Sequence, residues 1–195
     1  MNDKNIKERF FQTLSEISNQ IKINSKSIHT DKILQLINII LQIHHNNHRI
    51  FIYGAGRSGF IGCCFAQRLM HLGIKSCFIS DAVTYKYMKD DLLVLISGSG
   101  ETPSPIAIAK KAKEIGGKIT LFTNNPNSTI GKLSDCIIEV KGKSKDLAII
   151  QKTLAPYTSL FDISTLSILD SIGGTLMEIL GVTENDINKR HASIE

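Results

Sequence analysis

Apolar residues follow two different periodicities along this chain. In KERFFQTLSEISNQI and TDKILQLINIILQIHH they recur at every third or fourth position, which predicts two amphipathic helices. Further along, short continuous apolar runs alternate with helical patterns. These runs are RIFIYG, KSCFIS, DLLVLIS, KITLFT and CIIEV. Because helices separate the runs, we predict an α/β fold in which a parallel sheet carries helices on both faces.

The last third of the chain has a different character. LFDISTLSILDSIGGTLMEILG is apolar on nearly every side, which predicts a long helix buried on most of its surface. In so small a chain part of that burial is expected to come from another subunit, so we predict a homo-oligomer. Residues 183–195 begin with a threonine and acidic residues, which predict a short polar terminal helix.

These segments predict a single domain over residues 1–195. It comprises N-terminal helices in 1–47, a parallel α/β core in 48–141 and C-terminal helices in 156–195. No internal repeat, low-complexity tract or linker divides the chain.

Composition narrows the class of protein. The chain has 195 residues, of which 42% are apolar and 21% charged, enough for one soluble globular core. No apolar run reaches the roughly 20 residues that cross a bilayer, and the N-terminus lacks a signal-peptide pattern, so we expect a cytoplasmic protein without membrane contact. The net charge of +5 comes from dispersed lysines, without tryptophan or interleaved aromatic and basic residues, which argues against nucleic-acid binding.

The cysteines and clustered histidines do not indicate a metal site. The four cysteines have no CxxC spacing, and most lie in apolar stretches, as expected for reduced thiols that pack as small apolar residues. His44 and His48 are four residues apart in HHNNH, but no acidic or cysteine partner lies nearby. We therefore expect a solvated helix end there and no bound metal.

The segment SGSGETPSP, residues 97–105, follows the third apolar run. Its glycines allow the backbone to turn so that N–H groups converge on one point. Pro103 and Pro105 lie in the first turn of the helix that follows, where a missing N–H has no cost. Since the positive end of that helix faces the loop, the segment predicts an anion site.

A second glycine-rich loop, GAGRSG at residues 54–59, follows the first apolar run and matches G-x-G-x-x-G. With Asp81 just past the second strand, this pattern raises the alternative of a dinucleotide-binding protein. Arg57 and Ser58, however, suit a terminal phosphate group, and both loops are expected at the same edge of the sheet. We therefore favour one phosphate held between the loops over two tight turns that bind nothing.

Several segments together resemble a known family. They are FIYGAGRSGFIGCCFAQRLMHLG, DDLLVLISGSGET, KKAKEIG, the apolar helix with its Phe-Asp pair, and the closing KRHASIE. In combination they are similar to the sugar isomerase (SIS) domain family, and within it to the 6-phospho-3-hexuloisomerases, over nearly all of residues 30–195. The resemblance implies a flavodoxin-like, doubly wound fold: a three-layer αβα sandwich with a five-stranded parallel sheet.

The resemblance also implies an activity. Members interconvert 3-hexulose 6-phosphate and fructose 6-phosphate through a cis-enediolate, in the ribulose monophosphate pathway of formaldehyde fixation. They are usually homotetramers that work without a metal or organic cofactor. Two alternatives stay open, namely another SIS isomerase, such as one for arabinose 5-phosphate, and a sugar-phosphate sensor without catalytic activity.

Carried onto this chain, the resemblance implies a phosphate site and a general base. The hydroxyls of Ser97, Ser99 and Thr102 are expected on the phosphate. The family's base is a glutamate in a Phe-Glu pair, whereas this chain has Phe161 and Asp162. The full set of implied substrate-binding residues is Arg57, Ser58, Ser97, Gly98, Ser99, Gly100, Glu101 and Thr102.

A buried carboxylate can act as the base if burial raises its pKa toward neutrality. Asp162 lies in an apolar helix, where an unpaired charge is costly, although it could also be an ordinary acid near a helix start. Its side chain is one methylene shorter than glutamate, and a misplacement of about 1 Å can cost ~100-fold in rate. Glu101 is an alternative base, or an acid that caps the loop.

His71 in RLMHLG and His191 in KRHASIE are the candidate acids or oxyanion partners. An imidazole could donate a hydrogen bond to O2 or O3 of the enediolate. His71 could equally be a residue favoured near a helix C-terminus. For His191, the resemblance implies a closing motif that often completes the site of a neighbouring subunit.

Overall fold

A computed structural model of the chain describes residues 2–81, 83–142 and 153–193. The helices are α1 (Asp3–Ser27), α2 (Thr30–His45), α3 (Arg57–His71), α4 (Pro103–Ile115), α5 (Thr129–Leu133), α6 (Ser159–Leu180) and α7 (Glu184–Arg190). The strands are β1 (Ile50–Gly54), β2 (Ser76–Phe78), β3 (Leu92–Ile96), β4 (Lys118–Thr123) and β5 (Cys136–Glu139).

The five strands form one parallel sheet in the order β2-β1-β3-β4-β5. This confirms the predicted α/β class and the five-stranded sheet. The chain winds from β1 to β2 on one side and then returns to place β3 on the other. In such sheets ligands bind at the carboxyl ends of the strands where the winding direction changes, which here is between β1 and β3.

The sheet separates two apolar layers, because successive side chains of a strand point to opposite faces. In β3, Leu92 and Val94 join a core with α2, α3 and α6, whereas Leu93 and Leu95 join a second core with α4 and α5. All the residues of β3 are buried, which explains why this strand appears in the sequence as an unbroken apolar run. The result is the predicted three-layer αβα sandwich.

Helix α6 packs against α1 and α3 and buries residues from Ser159 to Leu176. Its 22 residues are long and apolar enough, by length and composition alone, to cross a bilayer. The expectation that no segment reaches that length is therefore wrong for α6. Core helices of soluble proteins meet the same test, and α6 contributes Phe161, Leu169, Ile172 and Leu176 to the core that it shares with α2 and α3.

The two ends of the chain differ in their contacts. The first half of α1 is exposed and carries the apolar side chains of Ile6, Phe10, Phe11 and Leu14 on its surface. At the other end, Thr183 and Asp186 form a capping box that starts α7, as the threonine and acidic residues predict. The last two residues of the closing KRHASIE segment lie outside the described residues.

Candidate active site

A cavity of about 340 Å³ opens at the carboxyl edge of the sheet, between β1 and β3. Three chain segments surround it: the turn from β1 into α3, the loop from β3 into α4, and the start of α6. Its lining residues are Ala55, Gly56, Arg57, Ser58, Ile96, Ser97, Gly98, Ser99, Thr102, Tyr157, Thr158, Phe161 and Asp162. The two glycine-rich loops therefore face one cavity, as their positions after parallel strands predict.

Asp162 is the most deeply buried charge of this cavity, with a side chain that is 1% exposed. Two residues of the β1–α3 turn hold its carboxylate. Arg57 donates from Nε to Oδ2 at 3.1 Å, and the Ser58 hydroxyl donates to Oδ1 at 3.1 Å. Both carboxylate oxygens are thus engaged, and this is how a buried carboxylate is tolerated.

The glycines of the first loop are required by the turn itself. A Cβ at Gly54 would lie 2.7 Å from the Ser58 backbone, and one at Gly59 would lie 2.7 Å from the Gly54 carbonyl oxygen. Gly56 has φ +59°, a left-handed conformation that favours glycine. The glycines of the G-x-G-x-x-G pattern are therefore explained by close backbone packing within this turn. Asp81, the residue that supported a dinucleotide site, does not line the cavity.

The second loop presents hydroxyl groups to the cavity. Ser97 Oγ accepts the Gly100 N–H at 3.2 Å, and Ser99 Oγ accepts the Glu101 N–H at 3.2 Å. A hydroxyl that accepts in this way keeps its own hydrogen for donation to an anion. Thr102 is the N-cap of α4 and makes no side-chain capping bond. Three hydroxyls therefore line the cavity beside the positive end of α4.

Gly100 and Glu101 belong to the same loop but lie outside the cavity lining. Glu101 Oε1 accepts the Thr129 N–H at 2.7 Å. Hydrogen bonds from the Thr129 side chain and then from its backbone N–H lower the pKa of the Glu101 carboxyl. Glu101 is therefore engaged at the start of α5. That arrangement fits the alternative of a loop-capping acid and leaves Asp162 as the carboxylate that faces the cavity.

His71 and His191 lie together, but far from Asp162. Their rings stack with centroids 5.0 Å apart, and Arg190 Nη1 donates to the His71 carbonyl oxygen at 2.9 Å. Arg57 and His71 are the first and last residues of the 15-residue α3, so about 20 Å of helix separates them. The histidines therefore do not reach the cavity of their own chain. The sequence already implies this for His71, because Ser58 and His71 lie near opposite ends of one helix.

The cavity is also lined by two residues that no sequence motif marks. Tyr157 and Thr158 precede α6 and line the cavity beside Phe161 and Asp162. Thr158 has φ +70°, which is rare for a β-branched residue. Nothing in the sequence marks a threonine for this conformation, since glycine and asparagine are the residues that signal it.

Metal ligation is not suggested by the side chains that the structure describes. Among residues 2–81, 83–142 and 153–193, no group of three or more His, Cys, Asp and Glu residues could hold a metal ion. His44 and His45 lie in the last turn of α2, as expected for a helix end.

Comparison with known proteins identifies similar chains. The SIS domain model matches residues 43–166. The 3-hexulose-6-phosphate isomerase of Methanocaldococcus jannaschii is 36% identical over 94% of this chain and 97% of its own. That of Bacillus subtilis is 37% identical over 93% of this chain and 97% of its own.

One solved structure and a further relative are also similar to this chain. A crystal structure of a Methanococcus jannaschii protein, described as inferring the function of 3-hexulose-6-phosphate isomerase, has a TM-score of 0.80 and 38% identity. The similarity covers 93% of this chain and 98% of the chain in that crystal structure. The arabinose 5-phosphate isomerase KpsF of Escherichia coli is 29% identical over 92% of this chain and 54% of its own.

Proposed function

The chain belongs to the SIS domain family, and we propose that it interconverts 3-hexulose 6-phosphate and fructose 6-phosphate. The observation that carries this proposal is the arrangement of the cavity. A buried carboxylate, Asp162, is held by Arg57 and Ser58 and faces a loop whose hydroxyls and helix end suit a phosphate. The isomerases of Methanocaldococcus jannaschii and Bacillus subtilis, similar over nearly the whole chain, support this substrate.

The phosphate end of the substrate is assigned to the β3–α4 loop. Ser97, Ser99 and Thr102 donate their hydroxyl hydrogens to its oxygens, and the α4 N-terminus contributes its partial positive charge. Gly98 packs against the Phe161 ring, where an added Cβ would lie 3.3 Å from the ring. This contact joins the phosphate loop to the helix that carries Asp162. The elements that bind the two ends of the substrate therefore pack against each other.

The reaction moves a carbonyl group from C3 to C2. Asp162 takes the proton from C2 of 3-hexulose 6-phosphate, and a cis-enediolate forms across C2 and C3. The proton then returns to C3, while the hydroxyl proton moves from O2 to O3. Each carboxylate oxygen of Asp162 accepts one hydrogen bond and has a second lone pair for the transferred proton. The Arg57 guanidinium stabilises the negative charge that develops on the enediolate.

We assign His71 and His191 to the cavity of a neighbouring subunit, in a homotetramer. Two features support assembly. The exposed half of α1 carries four large apolar side chains, and an apolar groove of about 580 Å³ lies between α1, α2 and α6. Apolar surface of this kind is typical of an interface between subunits. We further propose a cytoplasmic enzyme of formaldehyde fixation through ribulose monophosphate.

A second candidate is an isomerase of arabinose 5-phosphate, favoured by the similarity to KpsF. The same cavity could hold either sugar phosphate, since the carboxylate and phosphate loop are common to both reactions. A direct competition assay separates them, because the true substrate should have the higher kcat/KM by at least about 100-fold.

The test of the proposed function is a coupled assay. A separate hexulose-phosphate synthase generates 3-hexulose 6-phosphate from ribulose 5-phosphate and formaldehyde, and formation of fructose 6-phosphate is followed over time. Turnover supports the proposal. No turnover, with fructose 6-phosphate still raising the melting temperature, contradicts it and favours a sensor.

A further inference from the structure

Helix α1 contacts the segment that leads into α6. Glu16 Oε2 accepts two backbone N–H groups, from Leu154 at 2.9 Å and from Ala155 at 2.7 Å. Arg9 Nη2 donates to the Leu154 carbonyl oxygen at 2.9 Å. Three hydrogen bonds thus join residues that lie about 140 positions apart in the chain. We call the two bonds of Glu16 the Glu16 clamp.

The clamped residues lead directly into one wall of the cavity. Ala155 is buried, and Tyr157 and Thr158 follow it along the cavity lining. Thr158 holds φ +70°, a conformation that costs a β-branched residue free energy and persists only where neighbouring structure fixes it. The Thr158 carbonyl oxygen also accepts the Asp162 N–H at 2.8 Å. The helical turn that carries Asp162 therefore begins on this residue.

The backbone is held in place both before and after Thr158. Helix α6 follows it and is held by Phe161 in the core and by Asp162, which is bonded to Arg57 and Ser58; both residues are 1% exposed. Before it, the Glu16 clamp holds the backbone at Leu154 and Ala155. Without the clamp, Thr158 could relax toward negative φ, which would turn Tyr157 and shift the first turn of α6.

We propose that Glu16 is a positioning residue of the active site. By fixing the backbone at Leu154 and Ala155, it sets the cavity wall and the start of the helix that carries Asp162. The inference rests on the proposed function of this cavity. Glu16 does not line the cavity itself, so its effect passes through the segment that it holds.

The test compares variants of the full chain. We expect Glu16→Ala to lower kcat/KM for 3-hexulose 6-phosphate by about 10- to 100-fold, chiefly through kcat, since a wall displaced by about 1 Å misplaces the substrate. Glu16→Gln keeps an oxygen that accepts both N–H groups and should stay within about threefold of wild type. Glu8→Ala is the matched control, because the Glu8 carboxylate accepts from Gln12 of the same helix.

Two further readouts separate positioning from general stability. Amide exchange at Leu154 and Ala155 should accelerate in Glu16→Ala, which shows that the clamp is open. Binding of inorganic phosphate should stay unchanged, because the phosphate loop lies on the β3–α4 side of the cavity. Accelerated exchange with full activity would overturn the inference. The inference would also be overturned if phosphate binding and activity fell by the same factor, because the effect would then not be confined to the clamped side of the cavity.

Two further experiments cover the cases in which Glu16→Ala does not fold or the wild type has no turnover. If Glu16→Ala does not fold, Arg9→Ala replaces it, since Arg9 is exposed and makes one bond to the segment. It should lower kcat/KM about threefold, and full activity would count against the inference. If the wild type has no turnover, the proposed function fails, and the clamp is judged by binding. Glu16→Ala should then weaken the binding of fructose 6-phosphate and leave the binding of inorganic phosphate unchanged. Equal effects on both affinities would overturn the inference.

Discussion

Arg57 and Asp162 form an ion pair between the start of α3 and the start of α6, with Nε and Oδ2 3.1 Å apart. The Arg57 side chain is 62% exposed, whereas that of Asp162 is 1% exposed. One partner thus faces solvent at the rim of the cavity, and the other forms its floor. The pair places a charged carboxylate inside the cavity together with a cation that a negatively charged substrate can also reach.

Asp162→Asn tests the assignment of the base. The amide has nearly the same shape but cannot take a proton from carbon, so turnover should fall by about 100- to 10,000-fold. Binding of fructose 6-phosphate should remain, because the phosphate loop is untouched. Steady-state kinetics and calorimetric titration measure the two effects. Asp170→Asn, an exposed carboxylate on the same helix, is the control and should keep full activity. Retained turnover in Asp162→Asn would remove Asp162 from the role of base.

Arg57→Ala tests what the ion pair contributes to stability. It leaves the buried Asp162 carboxylate without its cation, and we expect the free energy of unfolding to fall by about 1.5–3 kcal/mol. Urea denaturation measures this change. The chain offers a close control, since Arg68 on α3 pairs with Asp170 on α6 through one Nε–carboxylate contact of the same length, Nε to Oδ1 at 3.1 Å, but at the surface. Arg68→Ala should cost less than about 1 kcal/mol. Equal losses would mean that burial of Asp162 does not strengthen the pair.

Ser97→Ala and Ser99→Ala test the phosphate loop. Each removes one hydroxyl that donates to the phosphate, so the Kd for fructose 6-phosphate should rise by about 10-fold per substitution. Ser104→Ala is the matched control, because Ser104 is exposed in the first turn of α4 and does not line the cavity. Unchanged affinity in both variants would show that the phosphate lies elsewhere.

Gly100→Ala tests why the loop contains glycine. Gly100 has φ +65°, and an added Cβ would collide with the Ser128 hydroxyl. We expect unfolding free energy to fall by about 2 kcal/mol or more, with weaker phosphate binding as the loop shifts. Gly174→Ala is the opposite case, a glycine inside α6 whose Cβ would meet open space. It should raise the stability by about 0.5–1 kcal/mol. Similar effects of both changes would contradict this account of Gly100.

Much of this site could be predicted from the sequence, because it follows from the order of strands. Parallel strands end at one edge of the sheet, so the loops at residues 54–59 and 97–102 had to be neighbours once both were recognised as following strands. Their glycines then mark tight turns. The fold class follows from the same alternation of apolar runs and helices.

The remaining features depend on tertiary packing. The pairing of Arg57 with Asp162 joins residues 105 positions apart and is fixed by how α3 packs on α6. The left-handed backbone of Thr158 has no sequence signal, since the local preference of threonine opposes it. The clamp from Glu16 is invisible for a similar reason: acidic residues on an exposed helix are common, and only the fold brings Leu154 to this one.

Subunit mixing tests whether His71 and His191 complete a neighbour's cavity. The two histidines stack on each other about one α3 length from Asp162 of their own chain, so a shared site needs two copies. We expect Asp162→Asn and the double variant His71→Ala, His191→Ala to be inactive alone. Unfolded together and refolded as mixed oligomers, they should form cavities with one intact carboxylate and one intact histidine pair. Random pairing across a two-fold interface should restore about a quarter of the wild-type activity. Each variant refolded alone is the control, and mixed oligomers that stay inactive would count against a site shared between subunits.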